Sequence, residues 1–550
     1  MKQLFVLFCV LLTADVLSAA APTLTHLYPA GGLRGTTVSM TAAGKLADHP
    51  LFVWSSRDDV QVAFTKESGK LDVTIAPDAE PGLCWIRVYN AEGVSAQKPF
   101  FVGVIPEVLE QEPNNAVSSA QKLASPMQVV NGVLSSAGEV DMFAIQAKAG
   151  QTVVASMTAH ETLGSPMDGV LQIVSADGFV LDQNDDDSAL DPEIAFVAPT
   201  DGTYYVRTFA FAAKPNTSIR LHGAATYIYR LTITTGPFID HLLPMGATRS
   251  AETKLSVHGW NVPDELSELT IAGMADESHR LYWQPQFANT QRLRVASHPL
   301  LVENETADSE LAPFTPPAAL TGHIDSDGDV DTFRLPATKG QKLVIRIDAR
   351  SLGSPLDPLL ALIGPDGKTI SEADDSGGGN VDAAVTHTVA ADGEHQVRVS
   401  SRYSFGGPRF FYVLSIKHPT PDFELSVTSD TFTLAADKPL EIPVAISRIE
   451  GFDKEIEITA TGLPAGVVTK PVKSAKEGDS SKSVKLIFEN SDALKFPGTF
   501  QINGKAAGEP AMERTATTTV SGLTAKTESL WLTIPNAALG DIPVEAARPR

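Results

Sequence analysis

The chain has 550 residues, 43% of them hydrophobic and 20% charged, and a formal net charge of −23. This is a globular composition. Its acidity argues against nucleic acid and anionic lipid as partners and suits a soluble exported protein able to bind cations. At roughly 150 residues per domain the length implies about three or four domains, or more if they are small β-modules. The 41 Gly and 37 Pro favour turns over long helices.

Residues 1–20 read as a secretory signal. Lys2 gives a positive start, residues 4–12 form an apolar core too short to span a bilayer, and Ser18-Ala19-Ala20 offers a cleavage site. No later stretch is long and apolar enough for a membrane helix. Cys9 leaves with the signal. Cys84 lies in the apolar run Leu83-Cys84-Trp85-Ile86 and is expected to be an inert core thiol.

Residues 21–105 predict seven short strands at 24–27, 37–42, 51–54, 60–64, 71–75, 83–89 and 99–104. Val38, Met40 and Ala42 alternate, as do Leu71, Val73 and Ile75, which is the period of a half-buried strand. An immunoglobulin-like sandwich is expected.

Beyond it the chain repeats itself. Segments 163–207 and 352–398 share Leu-Gly-Ser-Pro-x-Asp. They also share the pairs Asp177-Gly178 and Asp366-Gly367, Asp185-Asp186 and Asp374-Asp375, and Asp201-Gly202 and Asp392-Gly393. Upstream, Gly132, Asp141-Met142-Phe143 and Gly150-Gln151 answer Gly322, Asp331-Thr332-Phe333 and Gly340-Gln341. The repeated modules run over 106–236 and 301–418. Between them, 237–300 repeats the start of the first module, with Pro237-Phe238-Ile239-Asp240-His241 against Pro22-Thr23-Leu24-Thr25-His26. Residues 419–535 alternate again and predict a last immunoglobulin-like sandwich. The Pro- and Ala-rich tail 536–550 is expected to be poorly ordered. The fold class is therefore all-β, tandem sandwich modules in a duplicated two-module unit followed by one more sandwich.

The repeated modules resemble the bacterial pre-peptidase C-terminal (PPC) domain, a jelly-roll-like β-sandwich of secreted peptidases and other extracytoplasmic proteins. The resemblance rests on Glu110-x-Glu112-Pro113-Asn114-Asn115, Gly132, Asp141-x-Phe143, Gly150-Gln151, Asp177-Gly178 and residues 201–207. Residues 81–95 resemble the end of a TIG-type immunoglobulin-like domain. The Asp-Gly pairs read as turns, with Gly at positive φ and Asp capping its own turn.

Related collagen-binding domains bind calcium through such a linker and a downstream acidic loop. Carried over, the resemblance implies Glu110, Glu112, Asn114 and Asn115 as linker ligands, with Glu139 and Asp141 from the loop. These are the oxygen donors that calcium selects. The first loop, Ser135-Ser136-Ala137-Gly138, is poor in acids. The second copy has the reverse balance. Its loop carries Asp325, Asp327, Asp329 and Asp331, resembling the start of an EF-hand without its Gly and late Glu, and its linker reads Glu303-Asn304-Glu305-Thr306.

No G-x-S-x-G elbow, P-loop or H-E-x-x-H motif is present. Tyr204, Tyr205, Tyr227 and Tyr229 read as core residues before a binding stripe. The expectation is a secreted, non-enzymatic, calcium-stabilised array that binds or spaces extracellular protein or polysaccharide. The alternatives are an accessory component of a secreted peptidase and a hydrolase with an unrecognised site.

Overall fold

Period-two alternation carries directly into the structure. In Lys70–Ile75 the residues Leu71, Val73 and Ile75 are buried while Asp72 and Thr74 face solvent. The computed structural model describes residues 20–535 apart from 47–49, 188, 215–216, 218–219, 250, 274–278, 297–299, 304–313, 378–380, 436–437, 491–497 and 509–510. The expected signal at 1–20, apart from its last residue, and the tail at 536–550 lie outside the described residues. So does most of the second linker.

The fold is all-β, built of tandem sandwiches. The five largest buried clusters each draw on two facing sheets. The first pairs Thr23–Tyr28, Thr37–Lys45, Lys70–Ile75 and Val60–Phe64 with Gly31–Leu33, Lys98–Gly103, Gly82–Asn90 and Phe52–Ser55. Cys84 is fully buried between them, its thiol within 3.2 Å of Ser55 Oγ, as a core cysteine should be.

The first repeated module has two five-stranded sheets. One runs Glu107–Leu109, Met127–Val133, Ile228–Thr234, Thr152–Thr158, Glu193–Val197. The other runs Gln121–Lys122, Asp141–Ala147, Gly202–Ala212, Met167–Val174, Val180–Asn184. The second module repeats the order. Leu300–Val302, Ala318–His323, Phe411–Lys417, Lys342–Asp348 and Ala384–Thr388 face Val330–Ala337, Gly393–Ser401, Pro358–Ile363 and Thr369–Ala373. Phe143 and Phe333 point inward in both.

The Leu-Gly-Ser-Pro repeat is a scaffold. Leu163 and Leu352 end one-turn helices, and Gly164 and Gly353 close them at φ 66° and 94°, which glycine adopts without strain. A distant carboxylate caps each turn. Asp191 accepts from the amides of Ala159, His160 and Glu161, and Asp382 from those of Ala349, Arg350 and Ser351. One expectation needs correcting. Asp201 and Asp392 do not cap their own turns. They accept from the amides of Ala149 and Lys339 in the neighbouring turn between sheets, both at 2.7 Å.

The sandwiches dock on one another. Fully buried Arg87 of the first sandwich donates to Asp430 of the last at 2.9 Å, and Gln97 donates to the same oxygen at 3.0 Å. Trp54, Tyr89 and Trp531 pack beside this pair, with Tyr89 and Trp531 ring centroids 4.8 Å apart. Arg409 joins three more segments. It donates to Asp187 at 2.6 Å and to Asp240 at 2.6 Å, and stands 3.5 Å from Glu193. Removing one partner of a buried pair strands the other charge, at a cost of about 3–5 kcal/mol. Asp430→Ala is therefore expected to lower the urea midpoint of the full chain clearly. Asp430→Asn, which keeps an acceptor, should lose less.

Candidate metal centre

Two features of the sequence bring the first module's linker onto its sandwich. The strand Glu107–Leu109 pairs in parallel with Met127–Val133, and just past it Glu110 accepts from the Val133 amide at 2.9 Å. Further on, the Asn114 carbonyl accepts from the Met142 amide at 3.0 Å. The linker therefore lies across the start of strand Asp141–Ala147. Glu110, Glu112 and Asp141 meet there, with ligand oxygens all within 4.8 Å of one another. Among the described residues no Lys or Arg pairs with these three carboxylates.

Asn114 is fully buried beside them. Its amide has two orientations with different consequences. With the nitrogen toward the acids it donates to Asp141 at 3.2 Å and Glu112 at 3.0 Å. Turned the other way, it presents a fourth oxygen to the same point.

Tyr229, on the opposite sheet, completes the cluster. Its fully buried hydroxyl donates to Asp141 at 2.6 Å and lies 3.3 Å from Glu110. Burial raises the pKa of Asp141 and of Glu110, and mutual repulsion between the acids pushes in the same direction. Gly132 leaves the room this needs, since a Cβ there would lie 2.2 Å from the Tyr229 hydroxyl.

The remaining first-copy candidates do other things. Asn115 is exposed. The Glu139 carboxylate accepts from the Ser136 amide at 2.6 Å and the Ser135 hydroxyl at 2.8 Å, closing its own loop.

The second copy keeps the frame. Tyr412 donates to Asp331 at 2.6 Å, and burial raises Asp331 to about 7. Glu303 accepts from the His323 amide at 3.1 Å, which is the role of Glu110. A Cβ at Gly322 would lie 2.5 Å from both the Tyr412 hydroxyl and Glu303. The acidic loop is spent on backbone amides. Asp329 accepts from the Asp325 and Val330 amides, Asp327 accepts from the Gly406 amide, and Asp325 and Asp327 are exposed. Residues 304–306 of its linker lie outside the described residues.

The sequence reading missed the tyrosine–aspartate bond and the equivalence of Glu303 with Glu110. Gly132 and Gly322, kept in both copies opposite a tyrosine in the closing strand, were the available signal. The tyrosines form no surface stripe, since Tyr204, Tyr227 and Tyr229 are buried.

Residues 139–210 and 329–401 match the family model of the bacterial pre-peptidase C-terminal domain, and the chain carries two copies of it. The first match begins downstream of the Glu110 linker. No curated protein matches the chain. Among solved structures it is similar to Salmonella alpha-2-macroglobulin, at 11% identity and TM-score 0.15, covering 94% of this chain and 47% of that one. A Clostridium perfringens ZmpB fragment, with its catalytic and CBM51 domains, matches at 10% identity and TM-score 0.16, covering 70% and 40%. An ICAM-5 ectodomain fragment matches at 11% and 0.12, covering 92% and 98%. The chain thus spans under half the length of the first two.

Loss of the tyrosine hydroxyl leaves a buried carboxylate without its donor, at about 1–3 kcal/mol. Tyr229→Phe and Gly132→Ala, which crowds the same hydroxyl, are both expected to lower the melting temperature in chelator. Phe at Tyr205, outside the cluster, should leave it unchanged.

Proposed function

On a chain that carries two PPC domains, we propose an exported, non-catalytic binding assembly whose first PPC domain is locked by calcium. The convergence of Glu110, Glu112 and Asp141 carries the calcium reading. Three acids gathered at a partly buried point repel one another unless they hold protons or a cation. Their chemistry is all oxygen, which suits a hard divalent ion over zinc or copper. Asn114 turned oxygen-inward would add an amide ligand, and solvent beside exposed Glu112 would fill the remaining positions. Calcium would fix the linker against the sandwich, and so fix the angle at which the preceding module is held.

The non-catalytic reading is supported by the PPC domains and the all-β fold. Among the described residues no helix is long and apolar enough to cross a membrane. Together with the leader-like residues 1–20, this supports export. The proposed partners are an extracellular protein or polysaccharide, and a secreted peptidase is the companion that the PPC resemblance suggests.

Calorimetric titration of the full chain with calcium tests the centre. One equivalent is expected to bind, with loss of binding in Asp141→Asn and Glu110→Gln. A hundredfold excess over Kd stabilises by about 2.7 kcal/mol, read as a rise of a few degrees in melting temperature. No heat and no shift at millimolar calcium would remove the proposal.

The pH dependence has a definite sign. Glu110 and Asp141 are raised in the folded chain, so without calcium their contribution to stability is present in acid and is lost as pH rises through the raised range. Calcium needs them ionised and must displace their protons. The gap in melting temperature between calcium and chelator is therefore expected to widen from pH 5.5 to pH 8.

A further inference from the structure

Among the described residues of this acidic chain, cations gather along a groove. A groove of about 1050 Å³ opens where strand Gln291–Ala296, one face of the second PPC domain and the turn at 449–451 meet. Arg292, Arg294, Lys342, Arg346 and Lys417 line it, against only Asp348 and Glu450. Those two acids are already engaged. Asp348 is shared by Arg294 at 2.5 Å and Arg346 at 2.6 Å, and Glu450 holds Lys417 at 3.0 Å. Arg292 and Lys342 are exposed and make no ion pair among the described residues. The groove thus holds an excess of three positive charges on a chain of net charge −23.

Its floor is the outer face of a sheet. Thr386 and Thr388 on the edge strand and Ser415 on Phe411–Lys417 offer hydroxyls there. Arginine forks suit carboxylates, and hydroxyls suit hydroxyls. We propose that this groove binds an acidic polysaccharide of uronate type, with carboxylates over the cations and ring hydroxyls over the Thr/Ser floor. Two observations favour this over other anions. The net charge of the whole chain opposes a densely charged polymer such as nucleic acid, whereas about one charge per sugar ring matches cations spread along an open trough. The floor also interleaves the hydroxyls of Thr386, Thr388 and Ser415 with the small apolar side chains of Val344 and Ala384, which suits the hydroxyl edges and apolar faces of a sugar ring. The proposal rests on the binding role given above and is independent of the calcium centre.

The test uses the full chain in chelator, titrated with a hexa-uronate and, separately, with a hexa-glutamate peptide of equal charge. Hexa-uronate is expected to bind more tightly than the peptide and to weaken at least tenfold in Arg292→Glu/Lys342→Glu and again in 0.5 M salt. Unchanged melting temperature of the double variant shows that the fold is intact. Uronate binding that the variant leaves unaltered would overturn the groove while sparing a general binding role. Equal or tighter peptide binding would overturn the ligand class. Absence of binding by both probes would overturn the proposal whole.

Discussion

A carboxylate buried between two sheets must find a donor, and each PPC sandwich supplies one from the opposite layer. Asp141 and Asp331 start strands of one sheet, and Tyr229 and Tyr412 stand in the closing strand of the other, each pair at 2.6 Å. The bond ties the two layers where the chain enters the module. It depends in turn on Gly132 and Gly322, cross-strand partners of the tyrosines, whose missing side chains leave space for the hydroxyls. Glu110 and Glu303 close the same corner through backbone amides. The candidate metal centre is this corner with further oxygens added by the linker.

The two copies therefore share a frame and differ in what is placed on it. In the first, Glu110 and Glu112 meet Asp141, with the buried Asn114 amide beside them. In the second, Asp329 turns back onto its own loop amides and Asp327 accepts from the Gly406 amide of a facing loop. Counting acids ranks the second loop above the first. Geometry reverses that order, because carboxylates that cap their own turn are directed away from a common point.

The same logic operates between modules. Arg87 and Arg409 are long side chains that reach carboxylates far away in sequence, and the partly shielded surroundings make each pair structurally demanding. Asp187 and Asp240 are the anchors of Arg409. These contacts fold the array back on itself, with the first and last sandwiches in contact. Arg294–Asp348 and Lys417–Glu450 likewise join the three segments that form the basic groove. A simple extended spacer would need neither.

Much of this was legible in the residues. Period-two alternation placed the strands because one face of each sheet must be buried, and the duplication and its turns followed from matched Gly, Pro and Asp. The buried Cys84 followed likewise. The linker acids were also visible. Their partners were not: Tyr229 lies 88 residues from Asp141, and Asp430 lies 343 residues from Arg87. Local pattern determines which side chains face inward, since that depends on a strand's own period. Which carboxylates converge, and which are spent on a nearby amide, is decided only when sheets stack and modules dock, because those distances are set by the packing of the whole chain.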